Sequence, residues 1–410
     1  MSKSDLDLVI IGAGAAGLGA SEAATAAGIE HRVLEASHRT GGRGLTEHLD
    51  GVTPIDLGCH WMHSASKNPY VKWADQLGFD YLTTYPQREF HMDGQQFHAD
   101  GESKLDRYVD TIYERTEEYG GRNEDRALLE CFGGDHPYLS WAMYWVSLMH
   151  SNDPDQVSLM DAYHYVETGE DYPLKQGYGA LISKQGHNCP VELNTQVLSI
   201  DWSATPIRIE TNHGVLRTQK LILTVSTGVL AANDIVFNPA LPDWKQDAIN
   251  ALPLGNYNNL FFSFEPDTFD GREWNIGWSN GEQNAAVQIS QFGQPYLFCT
   301  TAGRFAWWLE KQGERASEDY LRNILIDLFG SDINKKLKTF KASAWGFDPW
   351  FKGAYSSAKP GQWHQREALA RPINESIYFA GEATSQDFLN TAHGAYLSGH
   401  RAVGELSGDV

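Results

Sequence analysis

Residues 7–17 read DLVIIGAGAAG, and the fold turns on how they are read. Residues 7–11 have the short, apolar character of a buried strand and run straight into Gly12, Gly14 and Gly17. The LGASEAATAAG that follows is alanine-rich and predicts a helix ending near Gly28. A second strand, HRVLEA, ends at Glu35 and Ala36. Strand, glycine turn, helix, strand and acid in this order form a dinucleotide-binding βαβ unit. Gly12 permits the tight turn, Gly14 lets backbone N–H groups approach a pyrophosphate, and Gly17 lets helix and strand pack closely. The helix N-terminus then faces the anion. Glu35 follows Gly17 by 18 residues and can accept hydrogen bonds from both ribose hydroxyls. An acid there favours a free 2′-hydroxyl, hence FAD or NAD over NADP.

Just downstream lies RTGGRG, with Arg39, Gly41, Gly42 and Arg43. Two glycines before an arginine suit a backbone nest plus a guanidinium, a second phosphate contact. A simple NAD dehydrogenase does not need it, whereas FAD with its long pyrophosphate does. The whole chain has 410 residues, which suggests about two domains. An apolar share of 41% and 13 tryptophans indicate a packed globular protein. Lysine and arginine total 32 against 53 acids, a net charge of −21 that disfavours nucleic acid and anionic membranes. The four cysteines are scattered without a CxxC, so no disulfide framework is expected. The N-terminus is too short and acidic for a signal peptide, and no apolar run approaches the ~20 residues that span a bilayer. These features predict a soluble, cytoplasmic location.

The far end of the chain, IYFAGEATSQDFLNTAHGAYLSG at 377–399, reads as a strand, a loop and a helix whose start lies at Thr391–Gly394. Six ordered blocks now stand together: GAGAAGL, VLEASHRTGGR, DLGCHWMH at 56–63, ILTVSTGVL at 222–230, WGFDPWFKGAYS at 345–356, and FAGEATS with TAHGAYLSG. In this order they resemble the flavin-containing amine oxidases, which include monoamine oxidases, polyamine oxidases and lysine-specific histone demethylases. FLNTAHGAYLSG is most similar to the polyamine oxidase and demethylase form. The resemblance implies an α/β fold with a Rossmann-like FAD-binding domain and an inserted α+β substrate domain. It divides the chain into residues 1–72, 175–247 and 346–410 for FAD and residues 73–174 and 248–345 for substrate. The sequence agrees in texture, being helical, aromatic and charged over about 73–172 and strand-like over 191–225.

What the resemblance implies can be placed residue by residue. Cofactor contacts fall on Gly12, Gly14, Ala16, Gly17, Glu35, Ala36 and Arg43. Gly58, Cys59 and His60 join them from DLGCHWMH, and Gly381, Glu382, Thr391 and Ala392 from the last block. Val197, in LNTQV, offers backbone groups to the adenine. Tyr355 lines the substrate face of the flavin, with Trp61 and His63 near the substrate tunnel. Thr391 stands where monoamine oxidases have a second tyrosine, so a two-tyrosine cage is not expected. Ala354 replaces the cysteine that monoamine oxidases bond to flavin, and none of the four cysteines lies nearby, so the FAD is expected to be non-covalent. His60 and His63 have no third ligand in reach, and no metal is expected.

The implied reaction is oxidation of an amine to an imine by hydride transfer to flavin, then hydrolysis to the aldehyde. O2, giving H2O2, or another electron acceptor completes the cycle. The stretch LGNYNNLFFSF at 254–264 departs from this pattern. As a strand it sets Tyr257, Asn259, Phe261 and Ser263 on one face and Leu260, Phe262 and Phe264 on the other. By resemblance, Tyr257 and Asn259 lie beside the flavin, and Asn259 replaces a lysine that holds a water there and aids reaction with O2. Its amide can hold a water but supplies no positive charge. Slow oxidase activity or a dehydrogenase follows. Two other readings are an L-amino-acid oxidase or desaturase of the same superfamily, and a flavoprotein that binds without turnover. Arg88 and Arg107 are the candidates for a substrate carboxylate; Glu89, Glu170 and Asp171 are those for a second ammonium.

Overall fold

The computed structural model describes residues 6–86, 88–92, 95–96 and 99–408, with residues 95–96 and 99–103 as backbone only. The chain begins with β1 (Leu6–Ile11), α1 (Ala15–Ala26) and β2 (His31–Leu34). It leaves this layer for β3 (Arg88–Met92), α2 (Ala99–Gly121), α3 (Leu139–His150) and α4 (Leu159–His164). It returns for β4 (Gly214–Leu223), then departs again for β5 (Tyr257–Phe264), β6 (Trp274–Ser279), β7 (Asn284–Ile289) and β8 (Tyr296–Ala302). Helices α5 (Gly303–Gln312) and α6 (Glu314–Phe329) and strand β9 (Leu337–Ala342) complete that excursion. Strand β10 (Ile377–Phe379) and helix α7 (Ala392–Ser407) come back to the first layer.

The first sheet has the parallel centre β2–β1–β4–β10. Both faces of β1 are covered, which is why its sequence runs apolar without alternation. Leu8 and Ile10 pack in the cluster that holds α1 and α7, while Val9 and Ile11 pack in a second cluster with Leu221 and Phe379. Full burial of such side chains is worth about 1.5–3 kcal/mol each relative to exposure. Helices α1 and α7 lie against each other through small buried residues, Ala16 and Ala20 on one side and Gly399 and Ala402 on the other.

The second sheet runs β9–β5–β8–β7–β6–β3, with residues 95–96 at its end. Strand β5 has the predicted alternation. Leu260, Phe262 and Phe264 pack with Leu321, Ile324 and Leu325 of α6, and Phe261 packs with Tyr296 and Phe298. The stretch 73–172, which reads as helical, contains the strand β3. It pairs in parallel with β6, Arg88 opposite Asn275, across a long sequence gap. Among the described residues no helix is long and apolar enough to cross a membrane.

Candidate active site

One cavity of about 1200 Å³ takes its walls from both sheets. Its first part is made by backbone. Gly12 turns at φ +102°, and a side chain on Gly17 would put Cβ 1.8 Å from the Gly12 carbonyl oxygen, so helix and turn can meet only through glycine. Glu35 is buried, and its carboxylate accepts from the N–H of Ala13 at 2.7 Å and of Ser37 at 2.8 Å. Each oxygen keeps lone-pair capacity for a further donor. The RTGGRG loop touches the fingerprint, with Gly41 bridged to Gly14.

Arg43 enters a buried chain of charges. Its Nη1 donates to Glu382 Oε1 at 3.0 Å and to the Ala354 carbonyl. Glu382 Oε2 accepts from Ser356 Oγ at 2.7 Å, and Ser356 Oγ accepts from Arg366 Nη1 at 3.1 Å. Arg366, fully buried in the short helix Gln365–Ala370, makes two 2.7 Å bonds to Asp161 on α4. Asp161 also accepts from the N–H of Ala358 at 2.6 Å. A bidentate, fully hydrogen-bonded pair is the arrangement that makes buried charges tolerable. This run of charges ties the RTGGRG loop to α4, behind a second wall of the cavity.

That wall is aromatic. The rings of Tyr257 and Tyr355 face each other with centroids 5.7 Å apart and a 45° tilt. Burial raises both phenol pKa values, so both stay neutral donors, and Tyr355 donates to the Leu148 carbonyl. Trp61 packs edge-on against His60 and Tyr85. His60 is held between Asp56 at 3.2 Å and Gln291 at 2.8 Å. His63 Nδ1 lies 2.8 Å from Asp171 Oδ1. Burial pushes His63 down, but the Asp171 hydrogen bond and the charges of Asp171 and Glu167 outweigh it and leave the imidazole pKa raised. His150, buried at the end of α3, lines the same cavity and is held down to about 4 by burial, hence neutral.

Every site residue expected from the sequence lines this cavity except two. Gly17 stands behind the wall in its packing role. Asn259 also stands behind it: its Nδ2 donates to the carbonyls of Asp56 at 3.0 Å and Gly58 at 3.2 Å, and its Oδ1 is buried without a partner among the described residues. Asparagine is too short to pass that turn, so its amide is spent on backbone instead of facing the cavity. The two flanking asparagines serve a different end. Glu310 of α5 accepts from Asn256 at 2.7 Å, Asn258 at 2.9 Å and the Phe347 N–H at 2.9 Å, which clamps β5 to the 345–347 turn. Thr391 caps α7, accepting from the Gly394 N–H at 2.9 Å, so that N–H is not free for a ligand.

Ala354 and Cys59 both line the cavity, Cys59 as expected of a cofactor contact. Burial raises the Cys59 pKa and keeps it a thiol. Of the weaker candidates, Asp171 and Arg88 line the cavity and Arg107, Glu89 and Glu170 do not. Glu89 pairs with Arg272 at 2.6 Å. Sequence reading missed Glu117, Glu167, Tyr165, Trp145 and His150, whose only local signal was the one-turn spacing of Tyr113 and Glu117 on α2. Among the described residues no cluster has the makings of a metal site.

The groups present fit FAD: a glycine cradle that a Cβ would fill, a buried acid at the ribose position, and one cavity continuous from there to the aromatic wall. Residues 10–75 match the NAD(P)-binding Rossmann-like domain. Relatives align over nearly the whole chain. Polyamine oxidase 4 of Oryza sativa subsp. japonica is 29% identical, over 97% of this chain and 88% of the relative. Lysine-specific histone demethylase 1 homolog 2 of the same plant is 26% identical, over 97% of this chain and 56% of the relative. Wild-type putrescine oxidase bound to putrescine superposes with a TM-score of 0.83 at 17% identity, covering 98% of this chain and 99% of that one, a likeness of fold. Residues 102–407 match the flavin containing amine oxidoreductases, and with the nucleotide cradle and the continuous cavity this makes the chain a flavin-dependent enzyme of that family.

Proposed function

We propose that the enzyme oxidises a linear primary or secondary amine, of polyamine type or related to it, with non-covalent FAD and with O2 or another electron acceptor. The observation that carries this reading is the single cavity whose nucleotide end is glycine and backbone and whose other end is aromatic and acidic, with Glu117, Glu167 and Asp171 in its wall. Carboxylates there attract a cationic substrate, and tyrosine and tryptophan faces suit ammonium and methylene groups alike. FAD, when bound, supplies the hydride acceptor. Tyr257 and Tyr355, packed against each other at 5.7 Å, form an aromatic wall against which the neutral amine is oriented. Trp61, His60 and Tyr85 exclude water from the reacting carbon. His63, held by Asp171, positions a polar group at the tunnel. Water then hydrolyses the imine to an aldehyde and releases the amine or ammonia.

Alanine at 354 and a protonated Cys59 favour a non-covalent cofactor. The chain passes between the two sheets four times, which supports domain boundaries at 72/73, 174/175, 247/248 and 345/346. Anaerobic mixing of the holoenzyme with a panel of mono-, di- and polyamines tests the reading: the right amine bleaches the flavin, and admitting air times its reoxidation. A broad panel that leaves the flavin oxidised sinks the proposal.

A further inference from the structure

Four strands of the second sheet bring one row of side chains into register. Arg88 on β3 pairs with Asn275 on β6, Asn275 with Gln288 on β7, and Gln288 with Phe298 on β8. All four residues line the cavity. The row is therefore polar at the β3 edge and aromatic toward β5, where Phe298 pairs with Phe261.

The Arg88 guanidinium lies 4.2 Å over the Trp145 ring, and its Nε donates to Asn275 Oδ1 at a long 3.5 Å. Among the described residues no carboxylate forms an ion pair with it; Asp106 on α2 acts on it only at longer range. An arginine fork stacked on an aromatic face keeps its outer N–H edge for a planar oxyanion. Asn275 and Gln288 beside it add amide donors. The same cavity holds acids near this row as well: Glu117 on α2, Glu167 and Asp171 after α4, and Glu273 just before β6, which accepts from the Gly293 N–H at 3.1 Å.

We infer that Arg88, with Asn275 and Gln288, forms a subsite for a carboxylate at the far end of the amine substrate. The sheet also sets the length of that substrate. Four strand steps separate β3 from β5, which at about 4.8 Å each is roughly 19 Å across the sheet, and Tyr257 lies four residues beyond Phe261 on β5, roughly 13 Å along it, so the backbones are roughly 23 Å apart. Even with both side chains reaching inward, the amine at Tyr257 and Tyr355 and the carboxylate at Arg88 are on the order of 10–15 Å apart. An α-amino acid, whose two groups share one carbon, cannot span this. A linear aminoalkyl chain ending in a carboxylate can, and Glu117, Glu167 or Asp171 could hold a further ammonium along it.

This subsite rests on the amine-oxidation reading for its reacting end, so the test separates the two. Aminooctanoic and aminododecanoic acids with terminal amines are compared with diaminooctane and diaminododecane in steady-state turnover with O2 or a dye as electron acceptor. The expected result is a KM roughly tenfold lower for the longer amino acid than for the diamine of equal length, the scale of one charge-assisted bond. Arg88→Gln should raise KM for the amino acid about tenfold and leave the diamine unchanged, and Arg88→Lys should recover part of the loss. Binding of aminododecanoic acid to holoenzyme, read by calorimetry, needs no turnover. A tenfold weaker Kd in Arg88→Gln supports the subsite even if no amine reduces the flavin. Equal Kd values, or a diamine preferred by both proteins, overturn it while leaving amine oxidation intact.

Discussion

The two ends of the cavity are built on opposite plans. The nucleotide end uses short contiguous segments whose side chains are absent or small, so that backbone faces the ligand. The other end, where we propose that the amine binds, uses large side chains from elements far apart in the chain: Trp61, Arg88, Glu117, Trp145, Tyr257 and Tyr355. A site made of backbone tolerates almost no change at its glycines. A site made of side chains can change its substrate one residue at a time.

The sharpest way to break this contrast is at Gly17. Gly17→Ala puts a methyl group 1.8 Å from the Gly12 carbonyl oxygen, and the expected outcome is full loss of bound flavin, read as visible absorbance of the purified protein. A variant that keeps its flavin would show that the cradle is not backbone-limited. Next in size is the link between the ends. Asp161→Asn leaves the buried Arg366 without its charge partner and is expected to cost about 3–5 kcal/mol in denaturant unfolding. A cost near zero would mean that the two ends are not mechanically joined there.

Asn259 probes the boundary between the plans. Asn259→Lys adds reach and charge past the Asp56 and Gly58 carbonyls and should speed flavin reoxidation by O2 about tenfold in stopped flow. No change would mean that those carbonyls retain the ammonium behind the wall. The smallest effect lies at His63. Its folded pKa is raised above 6.5, so its stabilisation is full below that value and fades as pH rises through the folded pKa. With both partners about a third exposed, His63→Gln should cost below roughly 1 kcal/mol in acid-side unfolding and nothing at alkaline pH. A loss that persists at alkaline pH would point to packing instead of charge.

The same contrast explains what could be read in the sequence. Gly12, Gly14, Glu35 and Arg43 lie within some thirty residues, so their spacing carries the information. Gly381, Glu382 and Thr391 were legible only through the family resemblance, since their stretch alone reads as an ordinary strand, loop and helix. Strand β3 was not. REFHM is short and unalternating, and its pairing partner β6 is nearly two hundred residues away. Glu117 and Glu167 lie among many solvated acids, and beyond the one-turn spacing of Tyr113 and Glu117 nothing local marks them as facing inward. Asn259 was legible as a departure, but its distance behind the wall depends on the 56–58 turn, which only the fold brings there.

The path of the chain between the two sheets bears on how the protein is made. The parallel centre of the first sheet takes β1 and β2 from one end of the chain and β10 from the other, with α7 packed on α1. During synthesis the fingerprint emerges early, but the strand and helix that close over it come only after the whole second sheet. Flavin loading therefore waits for nearly complete translation, and a nascent chain stalled before β10 would expose the apolar flank of β4.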